Sequence, residues 1–460
     1  MTWWQRGAIY QVYPRSFQDS NADGVGDLEG VRRRLPYLKW LGVDGVWLSP
    51  FYRSPMADFG YDVADHRDVD PLFGTVEDFD ALAQEARRLG LKLILDYVPN
   101  HTSIEHPWFT DHSEYFIWAD EVPNNWVSNF GGPAWSPHGE RFYYHAYLPE
   151  QPDLDWRNPD VRAAMLDVLR FWCEHGADGF RIDALRQLFK DDQRRDNPPN
   201  PDFSPGDDPY SALLPEFTTD RPEVQDAIRA FRATVGDRLL VGELYLPIER
   251  LVAYYASGLD LPSNFHLLST PWTAHDVAEL IERYEGALPD GAWPNWVAGN
   301  HDRPRLASRL PPGHERAAAT LLLTLRGTPT LYYGDEIGMR DVEIPPERRV
   351  DPWVFGNRDP VRTPMQWDAD GSFTEAEHAW LPFAPDHTAV NVATQQDDPD
   401  SLLHHYRHLL AARRAFADAP YRTVSVHDNV LTYARGEAIT VTIDFNTGAS
   451  QLHGPESVQA

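Results

Sequence analysis

The sequence predicts an α/β protein: a (β/α)8 barrel, also called a TIM barrel, with an inserted subdomain after strand 3 and a short C-terminal β-sheet domain. Short β-type runs alternate with amphipathic helical runs along most of the 460 residues. Eight strand candidates can be counted, which is the number that closes such a barrel. The alternation breaks in two places, and each break predicts an additional unit.

The predicted elements follow one another in barrel order. The candidate strands cover residues 9–13, 45–48, 91–97, 179–183, 239–243, 264–267, 296–298 and 330–333. Helical patterns cover residues 28–41, 76–89, 161–175, 223–235, 274–284 and 315–325, with 402–416 after the eighth strand. Each strand is thus followed by a segment long enough to return the chain to the start of the next parallel strand.

The two breaks set the predicted domain boundaries. Residues 100–155 are rich in Trp, Pro, Asn and Gly and are too long for an ordinary βα loop. Residues 421–445 contain β-type runs after the last helix. We therefore expect a discontinuous barrel over 1–100 and 156–418, an inserted subdomain over 101–155, and a short β domain over 419–460.

Composition restricts the classes of partner. A formal charge of −29 opposes binding to phosphate backbones and anionic lipid surfaces, so neither nucleic acid nor a membrane is expected as a partner. The single cysteine cannot form an internal disulfide, and no run of about 18 apolar residues is present. Nothing at the N-terminus resembles a signal peptide, so a cytoplasmic location is expected. The expected partner is a small molecule, and the chain is expected to act as a monomer or homodimer.

Acidic residues stand at the ends of three predicted strands. The fourth strand ends with Arg181 and Asp183, the fifth with Glu243, and the seventh is followed by His301 and Asp302. Any one of these carboxylates could cap the next helix. Because the carboxyl ends of barrel strands surround one mouth, however, we expect the three acids to converge there.

The surroundings of the acids predict different ionisation. Glu243 lies in the apolar run LLVGEL without a basic neighbour, so its pKa is expected to rise. Arg181 is two residues before Asp183 and points to the same side of the strand, which favours the ionised form of Asp183. One protonated and one ionised carboxyl group is the pair that glycoside cleavage requires.

A set of longer motifs resembles a known family. The motifs are AIYQVYPRSF, GVDGVWLSP, GYDVADHRDVDPLFGT, DYVPNH, QPDLDW, GFRIDA, GELY, GNHD, GTPTLYYGDEIG and RTPMQW. In this order they resemble the α-amylase family, glycoside hydrolase family 13, and within it the oligo-1,6-glucosidase and α-glucosidase group. The resemblance covers almost the whole chain.

The resemblance implies roles for individual residues. Asp183 corresponds to the nucleophile, Glu243 to the general acid/base, and Asp302 to the carboxylate that stabilises the transition state. The residues implied to bind the non-reducing glucose are Asp62, His101, Arg181, His301 and Arg362, with Tyr61 placed to stack under the sugar ring. The implied enzyme is a retaining, exo-acting α-glucosidase that releases glucose through a covalent glucosyl-Asp183 intermediate.

Linkage preference is predicted from the residue after the nucleophile. Within the family, valine there resembles α-1,6 enzymes, whereas alanine or threonine resembles α-1,4 enzymes, and this chain has Ala184. We therefore expect cleavage of maltose-like α-1,4 bonds. The alternatives are an α-1,6-preferring glucosidase, a sucrose hydrolase, and a glucosyl-transferring or isomerising enzyme. A non-enzymatic sugar-binding relative is a further alternative, but the presence of all three carboxylates argues against it. His66 departs from the family, where an aromatic residue is more usual.

The stretch DSNADGVGD after the first strand has oxygen-bearing residues at alternating positions. Its spacing is that of a calcium loop, but Gly30 stands where an EF-hand carries its bidentate glutamate. By resemblance to the related glucosidases, the loop is expected to hold a structural Ca²⁺, with Mg²⁺ as the alternative ion. The implied ligands are Asp19, Asn21, Asp23, the Val25 carbonyl and Asp27. The other interpretation is a surface turn that binds no ion.

Overall fold

The computed structural model describes residues 1–353 and 355–455. The strands are, in chain order, β1 (Ile9–Val12), β2 (Gly45–Leu48), β3 (Tyr52–Arg53), β4 (Asp65–Val69), β5 (Lys92–Tyr97), β6 (Trp118–Ala119), β7 (Trp135–His138), β8 (Arg141–Tyr144), β9 (Gly179–Ile182), β10 (Leu239–Gly242), β11 (Leu261–Pro262), β12 (Asn295–Val297), β13 (Thr328–Tyr332), β14 (Tyr421–His427), β15 (Val430–Arg435), β16 (Ile439–Asp444) and β17 (Ser450–His453). The α-helices are α1 (Trp3–Arg6), α2 (Pro14–Phe17), α3 (Leu28–Leu41), α4 (Val76–Leu89), α5 (Pro107–Asp111), α6 (Pro159–His175), α7 (Val224–Val235), α8 (Ile248–Leu251), α9 (Ala274–Ala287), α10 (Leu306–Arg309), α11 (Glu315–Thr324), α12 (Val392–Asp397) and α13 (Leu402–Ala412).

Eight parallel strands form the predicted barrel. Their order is β11-β10-β9-β5-β2-β1-β13-β12, so that consecutive barrel strands are neighbours. Between β11 and β12 no strand ladder forms in the described residues, and the Val297 N–H closes the ring by donating to the Asn264 carbonyl oxygen at 3.3 Å. The predicted fold class is confirmed.

The sixth strand is the one barrel strand that the sequence placed wrongly. It was expected at residues 264–267, whereas β11 ends at Pro262 and residues 266–268 form a 3-10 turn. The Asn264 side chain accepts a hydrogen bond from the His266 N–H at 3.1 Å. This local turn competes with strand geometry and ends the strand early.

The surrounding helices begin and end at residues that cap them. α3 follows Asp27, whose carboxylate accepts the Gly30 N–H, and α4 follows Thr75, which forms a capping box with Asp78. Gly42 and Gly90 end these two helices in the left-handed conformation. The observed bounds of both helices are those that the sequence predicted.

An antiparallel three-stranded sheet, ordered β6-β8-β7, lies in the insertion between β5 and α6. Trp126, Trp135 and Tyr144 form its small aromatic core. The buried Lys190, after β9, forms an ion pair with Asp153 of the insertion. The inserted segment is thereby fixed against the carboxyl ends of the barrel strands.

The C-terminal sheet has the antiparallel order β14-β15-β16-β17. It packs against α9 and α11. The buried Arg435 of β15 donates to the carbonyl oxygens of Phe416, Ala417 and Ala419, at 2.9 Å each, and to that of Thr324 in α11. Within residues 1–353 and 355–455, no helix is long and apolar enough to cross a bilayer.

Candidate active site

The three acids at the strand ends come together at one pocket. Asp183 directly follows β9, Glu243 directly follows β10, and Asp302 lies five residues beyond β12. All three line a pocket of about 250 Å³ at the carboxyl ends of the barrel strands. The other lining residues are Asp58, Tyr61, His101, Asn129, Phe130, Tyr147, Ala184, Arg186, Asp208, Tyr210, Tyr245, His301, Arg303, Trp353 and Arg358.

Arg181 connects the carboxylates of Asp183 and Glu243. One terminal nitrogen, Nη1, donates to Asp183 Oδ1 at 2.7 Å and to Asp96 Oδ1 at 2.8 Å. The other, Nη2, donates to Glu243 Oε1 at 2.6 Å. The guanidinium is buried, with 2% of the side chain exposed, and lies over the ring of Trp47. The two acids are therefore held side by side by one rigid planar group.

This contact corrects the expected difference in ionisation. Because Arg181 bonds to Glu243 as well as Asp183, it does not single out Asp183 for the ionised form. Burial and the neighbouring Glu243 carboxylate raise the pKa of Asp183, and Arg181 offsets only part of that increase. The protonated form of Asp183 is therefore favoured more than in an isolated aspartate.

Asp302 has the opposite electrostatic environment. Burial alone would raise its pKa, but His301, Arg358 and Arg362 together hold the pKa of Asp302 far below its usual range. Arg362 Nη2 donates to Asp302 Oδ1 at 3.0 Å, and Arg358 Nη1 is 3.5 Å from the same oxygen. These contacts therefore favour the ionised form of the Asp302 carboxylate.

Tyr61 and His301 form a stacked pair in the pocket wall. Their rings are 5.4 Å apart and nearly parallel, and the Tyr61 hydroxyl lies 2.7 Å from His301 Nε2. Gln11 Nε2 lies 2.8 Å from His301 Nδ1 and can donate to it, which places the imidazole proton on Nε2. Burial lowers the pKa of His301 to about 3, so the ring is neutral. In this wall Tyr61 packs against His301.

His101 also lines the pocket. Burial lowers its pKa to about 4. Its Nε2 atom lies 3.2 Å from the Gln151 side-chain amide, and Tyr147 packs against the ring. A neutral imidazole in this position can exchange hydrogen bonds with a neutral ligand.

Three of the residues expected to bind sugar, Asp62, Arg181 and Arg362, do not line the pocket. Asp62 is buried below it, where its carboxylate accepts hydrogen bonds from Ser54 Oγ and from the N–H groups of Ala57 and Asp58. Arg362 lies behind Asp302 and also donates to the His301 carbonyl oxygen. Each of the three, including Arg181 between Asp183 and Glu243, holds residues of the pocket wall in place, and its binding of sugar stays a prediction.

Asp58 and Arg358 occupy the pocket instead. Asp58 lies four residues before Asp62, and Arg358 lies four residues before Arg362. Arg358 Nη2 donates to Asp58 Oδ1 at 2.6 Å, and it also pairs with Asp351 at 2.7 Å. In each motif the sequence offered two residues of the same type. Nothing in its spacing indicated which of them faces the pocket.

The mouth of the pocket contains residues that the sequence did not single out. Phe130 of the insertion stacks on Trp353 with ring centres 5.5 Å apart. The Arg303 guanidinium lies 5.4 Å from the ring centre of Tyr245. Arg186, three residues after Asp183, donates to the Tyr245 carbonyl oxygen at 2.7 Å. Half-buried aromatic rings beside hydrogen-bonding groups suit a sugar ring at the entrance.

The predicted cation loop is closed by its own hydrogen bonds. The Asp19 carboxylate accepts the N–H groups of Asn21, Ala22 and Gly24, and that of Asp27 accepts the N–H of Gly30. Asn21 and Asp23 likewise accept N–H groups two residues ahead. Within the described part of the chain, no three Asp, Glu, His or Cys side chains are gathered as metal ligands. The all-oxygen donor set suits a hard cation in kind, but its carboxylates do not converge.

Comparison with known proteins gives one family. The model of the α-amylase catalytic domain matches residues 11–419. A Rhizobium meliloti protein named "Probable alpha-glucosidase" is 42% identical over 461 residues, which are 90% of this chain and 83% of that protein. The α-glucosidase of Culex pipiens is 39% identical over 485 residues, covering 97% of this chain and 82% of that protein.

Solved structures agree with this assignment. The crystal structure of an α-glucosyl transfer enzyme superposes with a TM-score of 0.92 at 37% identity, covering 97% of this chain and 91% of that chain. The sequence match, the superposition and the acids around one pocket all lead to the same family. The chain is a glycoside hydrolase that belongs to the α-amylase family, in its α-glucosidase group.

Proposed function

We propose that the protein is a retaining, exo-acting α-glucosidase that releases glucose from the non-reducing end of short α-1,4-linked oligosaccharides. The observation that carries this proposal is the placement of Asp183 and Glu243 on one buried guanidinium, with Asp302 in the same small pocket. Two carboxyl groups held this close leave no space for a water molecule between them, which favours attack by a carboxylate over attack by water.

The proposed roles follow from the environment of each acid. Asp183 attacks the anomeric carbon while Glu243 donates a proton to the leaving oxygen, and the glycosidic bond breaks. Glu243 then takes a proton from water, and that water releases glucose from Asp183 with retention of configuration. Asp302 is ionised throughout, and its negative charge stabilises the positive charge that develops on the sugar ring.

The small size of the pocket supports exo-action. The buried ion pair between Arg358 and Asp58 forms part of its wall, and Asp351 also pairs with Arg358. A volume of about 250 Å³ is small for a ligand pocket. Such a pocket admits one terminal sugar unit, and the remaining units extend through the mouth.

The proposed α-1,4 preference depends on Ala184. This residue lines the pocket directly after Asp183, and its N–H donates to Glu243 Oε2 at 2.9 Å. The methyl side chain leaves space beside the leaving-group sugar. A larger side chain at this position would narrow the space in which the second sugar is oriented.

The discriminating experiment is a comparison of kcat/KM on maltose, isomaltose, sucrose and maltotriose. We expect maltose and maltotriose to be cleaved faster than isomaltose and sucrose, with α-glucose as the first product seen by NMR. Faster cleavage of isomaltose would replace the proposed linkage, and β-glucose as the first product would replace the retaining mechanism.

The nucleophile is tested separately with Asp183→Asn. The amide cannot form the covalent intermediate, so we expect kcat to fall by at least about 10³-fold with an unchanged melting temperature. The matched control is Asp62→Asn, in which the changed carboxylate lies below the pocket. Near-normal turnover of Asp183→Asn would assign the nucleophile elsewhere.

Glucosyl transfer is the second candidate function. It is supported by the structural likeness to the α-glucosyl transfer enzyme, and hydrolysis and transfer share the same first step. They differ only in whether water or a sugar hydroxyl attacks the intermediate. Analysis of products at high maltose concentration separates them, because transfer yields trisaccharides whereas hydrolysis yields only glucose.

Binding of Ca²⁺ or Mg²⁺ by the loop at residues 19–27 stays a prediction. In the proposal Asp19, Asn21, Asp23, Asp27 and the Val25 carbonyl supply the oxygen ligands, and the ion stabilises the loop without contacting the sugar. We expect a chelator to lower the melting temperature and added Ca²⁺ to restore it. Asp23 is exposed and accepts the Val25 N–H within the loop, so Asp23→Ala should remove this response while leaving the pocket intact. An unchanged melting curve in the wild type would count against the site.

A further inference from the structure

A second, cationic depression lies on the outer surface of the barrel, away from the pocket. It has a volume of about 760 Å³ and follows the exposed side of α13. We call it the α13 groove and define it by Trp40, Arg316, His404, Arg407, His408 and Arg414, which line it. No role in the proposed glucosidase reaction accounts for it.

The sequence of α13 and the following turn departs from the charge of the whole chain. Residues 401–417 contain three histidines and three arginines and no acidic residue. Seventy acidic residues in 460 would place two or three in a stretch of this length on average. Arg413 is buried, so Arg407 and Arg414 are the exposed arginines of this segment, and no acidic side chain within it offsets them in a chain whose net charge is −29.

The helix dipole does not explain this concentration. A dipole favours cations in the last turn of a helix, which accounts for Arg414 just beyond α13. Arg407 lies in the middle of α13, however, and Arg316 lies in the first turn of α11, where a cation is disfavoured. Of the three arginines that line the groove, Arg316 and Arg407 thus occupy positions that the helix dipole does not favour.

The donors of these two arginines are largely unused inside the protein. Arg407 Nε donates to the Trp40 carbonyl oxygen at 3.1 Å, and Arg316 Nη2 donates to the Asp400 carbonyl oxygen. Within residues 1–353 and 355–455, neither forms an ion pair with a carboxylate. Arg414 differs, since it pairs with Asp44 at 2.8 Å. Both terminal nitrogens of Arg407 therefore remain available for a bidentate anion.

The dimensions of the groove indicate the kind of anion. Its volume is that of a small-molecule site and not of a protein interface. Arg407 and Arg414 are separated by two helical turns, or about 10 Å along the axis, which one isolated phosphate cannot span. The Trp40 ring already contacts Arg407 at 4.7 Å and Tyr37 at 6.0 Å.

We propose that the α13 groove is a binding site for a small polyanion, namely the di- or triphosphate part of a phosphorylated metabolite. Arginine forks match phosphate oxygens in geometry, and a chain of phosphates can contact Arg316, Arg407 and Arg414 together. Among the described residues, the exposed Asp400 is the one acidic residue that lines the groove, and its carbonyl oxygen accepts a hydrogen bond from Arg316.

The test uses the full chain and inorganic triphosphate as the probe, with binding measured by calorimetry at constant ionic strength. We expect saturable 1:1 binding, with triphosphate bound more tightly than monophosphate. The double variant Arg316→Gln/Arg407→Gln should bind triphosphate more weakly, with a dissociation constant at least tenfold higher. Because both side chains are exposed, the melting temperature without ligand should be unchanged.

The matched control is Arg170→Gln/Arg229→Gln, which removes two exposed arginines from α6 and α7 and changes the net charge equally. It should bind triphosphate as the wild type does. An equal loss in both double variants would show a general charge effect and overturn the proposal, as would no saturable binding at millimolar triphosphate. Displacement of triphosphate by saturating glucose would place the anion in the catalytic pocket and also overturn it.

Discussion

The backbone of Ala184 adopts a left-handed conformation, with φ of 48°, directly beside the proposed nucleophile. A side chain branched at Cβ is strongly disfavoured there, at a cost of roughly 1–3 kcal/mol. The N–H of the same residue is bonded to Glu243, so the conformation positions the acid as well as the pocket wall.

We predict that Ala184→Val lowers the ratio of kcat/KM for maltose to that for isomaltose by about tenfold, because two added methyl groups narrow the space for the second sugar. The ratio is independent of how much enzyme is folded, so backbone strain does not affect it. Ala184→Gly relieves the strain and should keep the wild-type ratio. An unchanged ratio in the valine variant would remove residue 184 as the determinant of linkage.

His66 is a buried histidine whose Nδ1 atom has no hydrogen-bond partner in the described residues. Its Nε2 atom lies 3.2 Å from the Val98 carbonyl oxygen, and burial lowers its pKa well below the usual value. The folded protein therefore keeps this ring neutral, whereas the unfolded chain protonates it below about pH 6.5. The contribution of neutral His66 to the free energy of unfolding is therefore fully present above that pH. It decreases as the pH falls toward the pKa of His66 in the folded protein.

We predict that His66→Phe loses less stability in acid than the wild type does. Between pH 7.5 and 5.5 the free energy of unfolding of the variant should gain about 1.4 kcal/mol relative to the wild type. Loss of the bond to Val98 is a constant offset that does not change with pH. Urea unfolding at the two pH values measures this difference. Replacement of the exposed His275 by Phe is the control. Parallel pH profiles of the free energy of unfolding for wild type and His66→Phe would contradict the expectation.

The residues of the site could be predicted where one motif offers one candidate. Asp183, Glu243 and Asp302 stand alone at their strand ends, and barrel geometry brings strand ends together. Asp58 and Arg358 were missed because their motifs contain a second residue of the same type four positions later. The hydrogen bond from Arg181 to Glu243 was missed because the two residues come from different strands. The sequence pattern of a single strand does not indicate a contact with another strand.

At the scale of elements, Lys190 fixes the inserted segment to the barrel. Its ammonium group is bonded to Asp153 and to Asn100 Oδ1 at 2.9 Å, and only 3% of the side chain is exposed. Asn100 also donates to Asp153 and is adjacent to His101 in the pocket. The ion pair thus connects the insertion with the end of β5 that carries His101.

We predict that Lys190→Met lowers the free energy of unfolding by about 3–5 kcal/mol, because it leaves the Asp153 carboxylate buried without its counter-charge. The double variant Lys190→Met/Asp153→Asn should recover part of this loss, since no charge then remains buried. Chemical denaturation measures both. A loss below 1 kcal/mol in the single variant would show that the insertion is held by its other contacts.

The bounds of a helix or strand could be predicted where residues close in sequence mark its ends. The bounds of α3 and α4 were correct because Asp27, Thr75, Gly42 and Gly90 mark their ends. β11 was misplaced because the apolar pattern continues beyond Asn264, whose side chain turns the chain. The three short strands of the insertion were not separable in the sequence, since strands of two to four residues are too short for an alternating pattern.

For the molecule as a whole, Arg435 joins three parts of the chain. Its guanidinium connects β15 of the C-terminal sheet with α11 and with the turn at residues 416–419. Burial lowers its pKa to about 10, so the side chain remains charged at neutral pH. Four carbonyl oxygens depend on this one donor group.

We predict that Arg435→Met lowers the free energy of unfolding by about 3 kcal/mol, since the buried carbonyl oxygens lose their donors. Unfolding followed by tryptophan fluorescence and by far-ultraviolet circular dichroism should remain a single transition, because the sheet packs directly on α11. Arg422→Met on the exposed strand β14 is the control. Separation into two transitions would show that the C-terminal sheet folds independently of the barrel.

The catalytic pocket is small enough to hold one sugar unit. In the proposed reaction the leaving sugar must therefore diffuse away before water or a second sugar can reach the glucosyl intermediate. Dissolved sugar competes with water for this vacated space. The sugar concentration, and not a change in the acids, then determines how often an oligosaccharide is formed in place of free glucose.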